Sequence, residues 1–298
     1  MRVLLTGGSG QLGQALQALR PAGVDLIAPT RRELDLADTE SCRRAIRQHC
    51  PHWVINAGAY TAVDRAESEP SLVHAVNSEA PAAFVDALAL TGGRLLQLST
   101  DFVFSGCQGS PYAPDHETNP LGVYGASKAS AERQVLRWGG SVVLRTSWVY
   151  GPVGHNFVQT MLRLLVEREQ VSVVSDQVSC PTSTQGLAQV CWSVLMKDAE
   201  GIDLPSVLHW SDAGVASWYD FATAIAELAV EEGVLRASAP VIPIATTAYP
   251  TSARRPSFSL LESAPTAELL DVERQHWRAA LRAVLQAHRL RLRSTGYL

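Results

Sequence analysis

Six short runs of strand-like composition recur along the first part of the chain: "RVLLT" (2–6), "VDLIA" (24–28), "WVIN" (53–56), "RLLQLST" (94–100), "SVVLRTS" (141–147) and "VSVVS" (171–175). The first five are almost unbroken apolar stretches, not alternating ones. Strands covered on both faces read that way, and parallel sheets are covered on both faces. Between them the period changes. "QLGQALQALR" (11–20) sets Leu12, Leu16 and Leu19 at helical spacing, and "SEAPAAFVDALALTG" (78–92) does the same with Ala80, Phe84 and Leu88. "TESCRRAIRQHC" (39–50) reads as a third helix. Such alternation predicts an α/β fold, a doubly wound parallel sheet, over residues 1–150.

Beyond residue 150 the alternation loosens. "NFVQTMLRLLVE" (156–167) and "SWYDFATAIAELAVEEG" (217–233) read as helices, the second with Ser217 as its cap. "VERQHWRAALRAVLQAHRLRLR" (272–293) reads as an amphipathic helix through Trp277, Leu281, Val284 and His288. A proline-rich stretch, 240–256, reads as a connector. The expected division is a dinucleotide-binding domain over 1–150, rejoined by the segment near 171–200, and a smaller substrate domain over 151–298.

Composition narrows the class. The chain has 298 residues, 46% hydrophobic and 18% charged, which is ordinary for a globular protein with a sizeable core. A net charge of −4 argues against nucleic acid as a partner. No signal-peptide core and no membrane-length apolar run are visible, so a cytoplasmic protein without membrane contact is expected. The cysteines, Cys42, Cys50, Cys107, Cys180 and Cys191, are odd in number and scattered, unlike a disulfide framework. His49, Cys50, His52 and Cys42 lack the second pair that a zinc site needs, so no metal is expected.

The chemistry begins at "TGGSGQLG", which follows the first strand and opens the first helix. Gly7, Gly10 and Gly13 form G-x-x-G-x-x-G. Glycines there allow a tight turn, close backbone approach to a pyrophosphate and close helix–strand packing, and the free N–H groups of the helix start face the phosphate. A dinucleotide is therefore the expected cofactor. After the second strand, "APTRRELDLAD" carries Thr30, Arg31 and Arg32 where an acid would bind a ribose 2′-hydroxyl. Arginine suits a 2′-phosphate, which favours NADPH, with NADH as the alternative. Asp35 is placed near the adenine.

"YGASKASAE" (124–132) puts Tyr124 and Lys128 one helical turn apart on the same face. A carbonyl receiving hydride needs a proton donor. A nearby ammonium lowers a phenol's pKa towards working pH, so the pair is expected to supply an acid and its tuning group. "STD" (99–101), at the end of the fourth strand, brings the Thr100 hydroxyl to the same crevice.

This set resembles the extended short-chain dehydrogenase/reductase family. "NAGAYTAVDRAESEP" (56–70), "STDFVFSG" (99–106), "PLGVYGASKASAE" (120–132), "LRTSWVYG" (144–151), "NFVQTMLRL" (156–164) and "YPTSARRPSFSLL" (249–261) are similar to its dTDP-4-dehydrorhamnose reductase branch. The resemblance implies NAD(P)H-dependent reduction of the C4 keto group of dTDP-4-dehydro-L-rhamnose, a step towards cell-surface polysaccharide. It implies Tyr124 as proton donor, Lys128 on the nicotinamide ribose and Thr100 on the reacting oxygen. Gly10, Gln11 and Leu12 would contact the pyrophosphate, Asp35 and Leu36 the adenine, and Ala59, Tyr60 and Thr61 the nicotinamide side. Asp101 and Trp148 would contact the sugar, while Arg255 would bind the substrate diphosphate or cap a helix. Two departures stand out: Phe102 where members often carry tyrosine, and Ser179 at a glycine position in "DQVSCPT" (176–182). The same scaffold also serves as a non-catalytic regulatory subunit of methionine adenosyltransferase and as epimerases or dehydratases of other nucleotide sugars. Some members form homodimers.

Overall fold

The computed structural model describes residues 1–294; positions 295–298, at the end of the expected substrate domain, lie outside it. The first half runs β1 (Arg2–Thr6), α1 (Gln11–Ala18), β2 (Asp25–Ile27), α2 (Thr39–His49), β3 (Trp53–Asn56), the short α3 (Val63–Ala66) and α4 (Pro70–His74), α5 (Ala80–Thr91), β4 (Arg94–Thr100), α6 (Val123–Val135) and β5 (Ser141–Thr146). The second half runs β6 (Val149–Tyr150), α7 (Phe157–Glu167), β7 (Val171–Val174), β8 (Val178–Ser179), β9 (Thr182–Ser183), α8 (Thr184–Ala199), β10 (Val207–Trp210), β11 (Ala216–Ser217), α9 (Trp218–Glu231), β12 (Val241–Ile244), α10 (Ala264–Leu270) and α11 (Trp277–Ser294).

The main sheet has six parallel strands in the order β10-β5-β4-β3-β1-β2. Side chains alternate between its faces. Leu4, Val54, Leu95 and Val143 point to one side and meet Ile46, Phe84 and Leu88 of α2 and α5. Val3, Leu5, Ile55, Leu96 and Leu144 point to the other and meet Leu16 of α1 and Leu187, Val190 and Leu195 of α8. Apolar residues on both faces explain the unbroken runs. The chain leaves β1 towards β2 on one side and returns to β3 on the other. That reversal opens a crevice beyond the carboxyl ends of β1 and β3, where doubly wound sheets bind ligands.

Two strands depart from the sequence reading. Val171–Val174 stays outside the six-stranded sheet and pairs in parallel with Val241–Ile244, inside the stretch read as a connector. Pro243 fits there because a two-stranded ribbon leaves an edge at which a missing N–H does no harm. The sixth strand of the sheet is "VLHW" (207–210), four residues too short to show a period. A separate core of Tyr150, Val158, Met161, Phe221, Trp277 and Leu281 joins α7, α9 and α11. Ser217 caps α9 as expected, in a capping box with Asp220. The C-terminal helix begins at Trp277, five residues later than its sequence pattern suggested.

Candidate active site

The glycine loop closes tightly. Gly7 adopts φ +66°, and a Cβ there would lie 2.8 Å from the Gly58 backbone after β3. A Cβ on Gly13 would lie 2.1 Å from the Gly7 carbonyl oxygen, so this glycine serves helix–strand contact. Between the two strand ends lies a cleft of about 370 Å³, lined by Gly7, Arg31, Asp35, Leu36, Ala59 and Tyr60 among others. These are six of the expected cofactor residues. Gly10, Gln11, Leu12, Gly13, Thr61, Tyr124 and Lys128 are not in its lining. Leu12 packs into the core and Thr61 is exposed. Gln11 reaches the other way: it donates to the His155 carbonyl (3.2 Å) and accepts from Asn156 (2.7 Å), the cap of α7. The Arg31 side chain is 80% exposed, with its guanidinium 4.0 Å from Asp35. The cleft thus fits a dinucleotide by its glycine cradle and by an arginine at the rim.

Tyr124 and Lys128 lie on α6 as the spacing predicted. The helix has no cap of its own at Gly122; Glu67 supplies one, accepting from the Val123 N–H at 2.9 Å. Burial pushes the Tyr124 phenol up to about 12, and the Asp101 charge adds to the rise. Lys128 is buried, and its ammonium donates to the Leu98 carbonyl at 2.6 Å. Burial brings it down to about 8, against the opposing pull of Glu132. The expected tuning of Tyr124 by Lys128 is therefore not present in the protein alone. The ammonium is turned to β4, and burial dominates the phenol's shift.

Thr100 sits at the end of β4, where its hydroxyl interacts with that of Tyr124. The Phe102 ring packs edge-on against Tyr124, with centroids 5.7 Å apart. Asp101 differs from the expectation of a sugar contact. It is 1% exposed, and its oxygens take hydrogen bonds from Thr100 (3.1 Å), Ser259 (2.5 Å) and Ser179 (3.4 Å). Burial still pushes its carboxyl up to about 6. Trp148 is half-buried at φ +45° and stacks on Trp218 with centroids 3.6 Å apart. Trp218, Phe157, Tyr249 and Arg255 line a second cleft of about 370 Å³ between α7, β7 and α9. Arg255 caps no helix: it pairs with both oxygens of Asp64 (3.1 and 2.7 Å). Ser179, at φ in the ordinary range, is fully buried and uses its hydroxyl.

Several residues of this site escaped the sequence reading. A π-helical turn, Ala75–Glu79, joins α4 to α5 and turns Asn77 inward. Its amide accepts from Tyr60 N–H (2.8 Å) and donates to the Tyr60 carbonyl and the Ser127 hydroxyl. That fixes the loop beside the cleft to the helix of Tyr124, a use often found for π turns. Asparagine amid a helical pattern was the available signal. Glu132, one turn beyond Lys128, is buried and paired with Arg145 of β5, and it also accepts from Ser99. The strand end that carries Thr100 is thereby tied to the helix that carries Tyr124.

A glycine cradle at the switch point of a parallel sheet, with a tyrosine–lysine helix beside it, defines a dinucleotide-dependent oxidoreductase of the Rossmann class. The family model described as the RmlD substrate binding domain matches residues 1–290. A dTDP-4-dehydrorhamnose reductase from Burkholderia thailandensis is 38% identical over 288 residues, covering 94% of this chain and 97% of the relative. Among solved structures, a dTDP-4-dehydrorhamnose reductase from Clostridium acetobutylicum superposes with a TM-score of 0.88 at 32% identity, covering 97% of this chain and all of that one. Another from Bacillus anthracis, in complex with NADP, gives 0.85 at 33%, covering 95% and 98%. The chain belongs to the dTDP-4-dehydrorhamnose reductase family, within the extended short-chain dehydrogenase/reductases.

Proposed function

We propose that this chain reduces the C4 keto group of dTDP-4-dehydro-L-rhamnose to give dTDP-L-rhamnose, with NADPH as reductant. The observation that carries the reading is a helix with Tyr124 and Lys128 one turn apart and the Tyr124 hydroxyl meeting Thr100 at the end of β4, in a chain of this family with a glycine cradle after β1. Bound NADPH supplies a hydride. Tyr124 donates the matching proton to the ketone oxygen, and water restores it afterwards. Lys128 holds the nicotinamide ribose and balances the phenolate left behind. Thr100 hydrogen-bonds the ketone oxygen and keeps it in line with Tyr124. The glycine loop receives the pyrophosphate, with the Gln11 backbone N–H at the start of α1 rather than its side chain, Asp35 and Leu36 face the adenine, and Arg31 takes the 2′-phosphate. Ala59, Tyr60 and Thr61 border the nicotinamide.

On this reading the sugar lies between Tyr124 and Trp148, and its nucleotide end enters the second cleft beside Phe157 and Trp218. Arg255, at the rim of that cleft, exchanges part of its pairing with Asp64 for the diphosphate. The cofactor domain comprises 1–150 together with α8, β10 and α10, whose Leu270 packs into the main-sheet core, and the rest of 151–294 forms the substrate domain. The enzyme works in the cytoplasm, where its five free thiols stay reduced, and it assembles as a homodimer. Among the described residues no helix is long and apolar enough to cross a membrane.

The test is direct. Purified protein mixed with NADPH and freshly made dTDP-4-dehydro-L-rhamnose should consume the reduced cofactor mole for mole and yield dTDP-L-rhamnose. A dehydratase or epimerase would transform its sugar with no net cofactor consumption, and a regulatory subunit would turn over neither.

A further inference from the structure

A pair of side-chain amides joins the start of α1 to the start of α7. Gln11 opens α1 directly after the glycine loop, so its backbone N–H is one of those left free at a helix start. Its side chain points away from the cofactor cleft, to the loop between β6 and α7. There Nε2 donates to the His155 carbonyl (3.2 Å), and Oε1 accepts from Asn156 Nδ2 (2.7 Å). Asn156 is in turn the cap of α7, its Oδ1 accepting from the Gln159 N–H at 3.0 Å. The helix it starts carries Phe157, Thr160, Met161 and Leu164, one wall of the second cleft.

Neither amide is free to turn over. The His155 carbonyl can only accept and the Gln159 N–H can only donate, so a flipped Gln11 or Asn156 would set like group against like. Asn156 is 7% exposed, and its Nδ2 also donates to the Gly151 carbonyl at 3.0 Å. The loop lies tight on Gln11: Gly154 takes φ +76°, and a Cβ there would lie 2.8 Å from Gln11 Cγ. Capping by itself needs none of this. Serine or aspartate would start the helix as well as asparagine does. What asparagine adds is a donor beside the cap acceptor, and here that donor goes to Gln11.

We propose that Asn156 is a positioning residue that couples the two clefts: through Gln11 it ties the start of α7 to the turn that receives the cofactor pyrophosphate, so that bound cofactor and bound nucleotide each strengthen the other. An anion on the start of α1 holds the Gln11 backbone, and with it the amide against which Asn156 is seated. A nucleotide against Phe157 and Thr160 holds the start of α7 and fixes the same amide from the other side. Whichever ligand arrives second meets a wall that is already set, and linkage makes the gain equal in both directions. The tie also keeps the substrate's anchor at a constant span from the nicotinamide, as hydride transfer demands. The inference rests on the reading that places the nucleotide end of the substrate in the second cleft.

The experiment is calorimetric titration of dTDP into the full chain, free and saturated with NADP⁺, for wild type, Asn156→Ser, Gln11→Met and the double variant. Wild type should bind dTDP about fivefold or more tightly when NADP⁺ is present, and NADP⁺ should gain by the same factor from dTDP. Asn156→Ser keeps a cap for α7, so its affinity for dTDP alone should stay within about threefold of wild type. Its gain from NADP⁺ should fall below about twofold, and so should that of Gln11→Met, which keeps the backbone N–H and the bulk of residue 11. The double variant should lose no more of the gain than either single one, because both cut the same bond. A merely structural role would weaken dTDP equally in both states and leave the gain untouched. Wild-type protein with equal or weaker affinity for dTDP in the presence of NADP⁺ overturns the proposal, as does a full gain in either single variant. If one variant does not fold, the other decides. A wild-type protein that binds dTDP neither with nor without NADP⁺ overturns the placing of the nucleotide itself.

Discussion

Replacing Lys128 separates what the buried ammonium does for the rate from what it costs the fold. Lys128 is 3% exposed, and its one recorded hydrogen bond is to the Leu98 carbonyl. Its pKa falls to about 8 from an ordinary 10.5. A group depressed in the folded state destabilises that state wherever the unfolded chain would still hold the proton. The penalty is thus fully present below about pH 8 and fades as pH rises towards 10.5. A shift of this size is worth on the order of 3 kcal/mol at neutral pH. Lys128→Met removes the charge and keeps most of the bulk, so it should raise the thermal midpoint of the cofactor-free protein at pH 7 by several degrees. The gain should shrink by pH 10.

The rate should move the other way. Lys128 is charged, and so competent to bind the ribose and balance a phenolate, only below about pH 8. The kcat/KM for NADPH reports the free enzyme and should fall about tenfold per pH unit above that point. Tyr124, at about 12, titrates too high to set that limb. In Lys128→Met the rate should be low throughout and the limb near pH 8 should vanish. The assay is NADPH absorbance from pH 6 to 10, beside a melting curve at each end of that range. A limb that persists unchanged in Lys128→Met would refute the assignment, and a lower midpoint at pH 7 would refute the energetics.

Three further outcomes are expected. Tyr124→Phe should lower kcat by at least ~10², the usual scale for a lost general acid, with NADPH affinity unchanged in a fluorescence titration. Arg31→Ala should weaken NADPH by about 1 kcal/mol and NADH hardly at all, the modest size reflecting a guanidinium that is 80% exposed; equal losses in paired KM measurements would show that Arg31 does not meet the 2′-phosphate. Glu132→Gln should destabilise the protein by ~3–5 kcal/mol in urea, because it strands the buried Arg145, and adding Arg145→Met should recover much of that.

Periodicity and turn chemistry were enough to read the cofactor half of the protein from its sequence. The apolar runs at 2–6, 53–56, 94–100 and 141–147 became central strands because both faces of a parallel sheet are covered, and that demand is written locally in each run. The glycine trio and the Tyr124–Lys128 spacing were legible for the same reason: backbone clearance and helical pitch are short-range constraints. What the sequence could not decide is whatever depends on partners distant along the chain. Val171–Val174 and Val207–Trp210 look alike as short apolar runs, yet one pairs with Val241–Ile244 and the other completes the main sheet. The family resemblance implied a sugar contact for Asp101, but in the fold its carboxylate is buried against Ser179 and Ser259. The spacing of Tyr124 and Lys128 put them on one face, but a side chain's pKa follows burial and the direction of its charge. Those depend on the Leu98 carbonyl, Glu132 and the packing around α6, which exist only once the chain has folded.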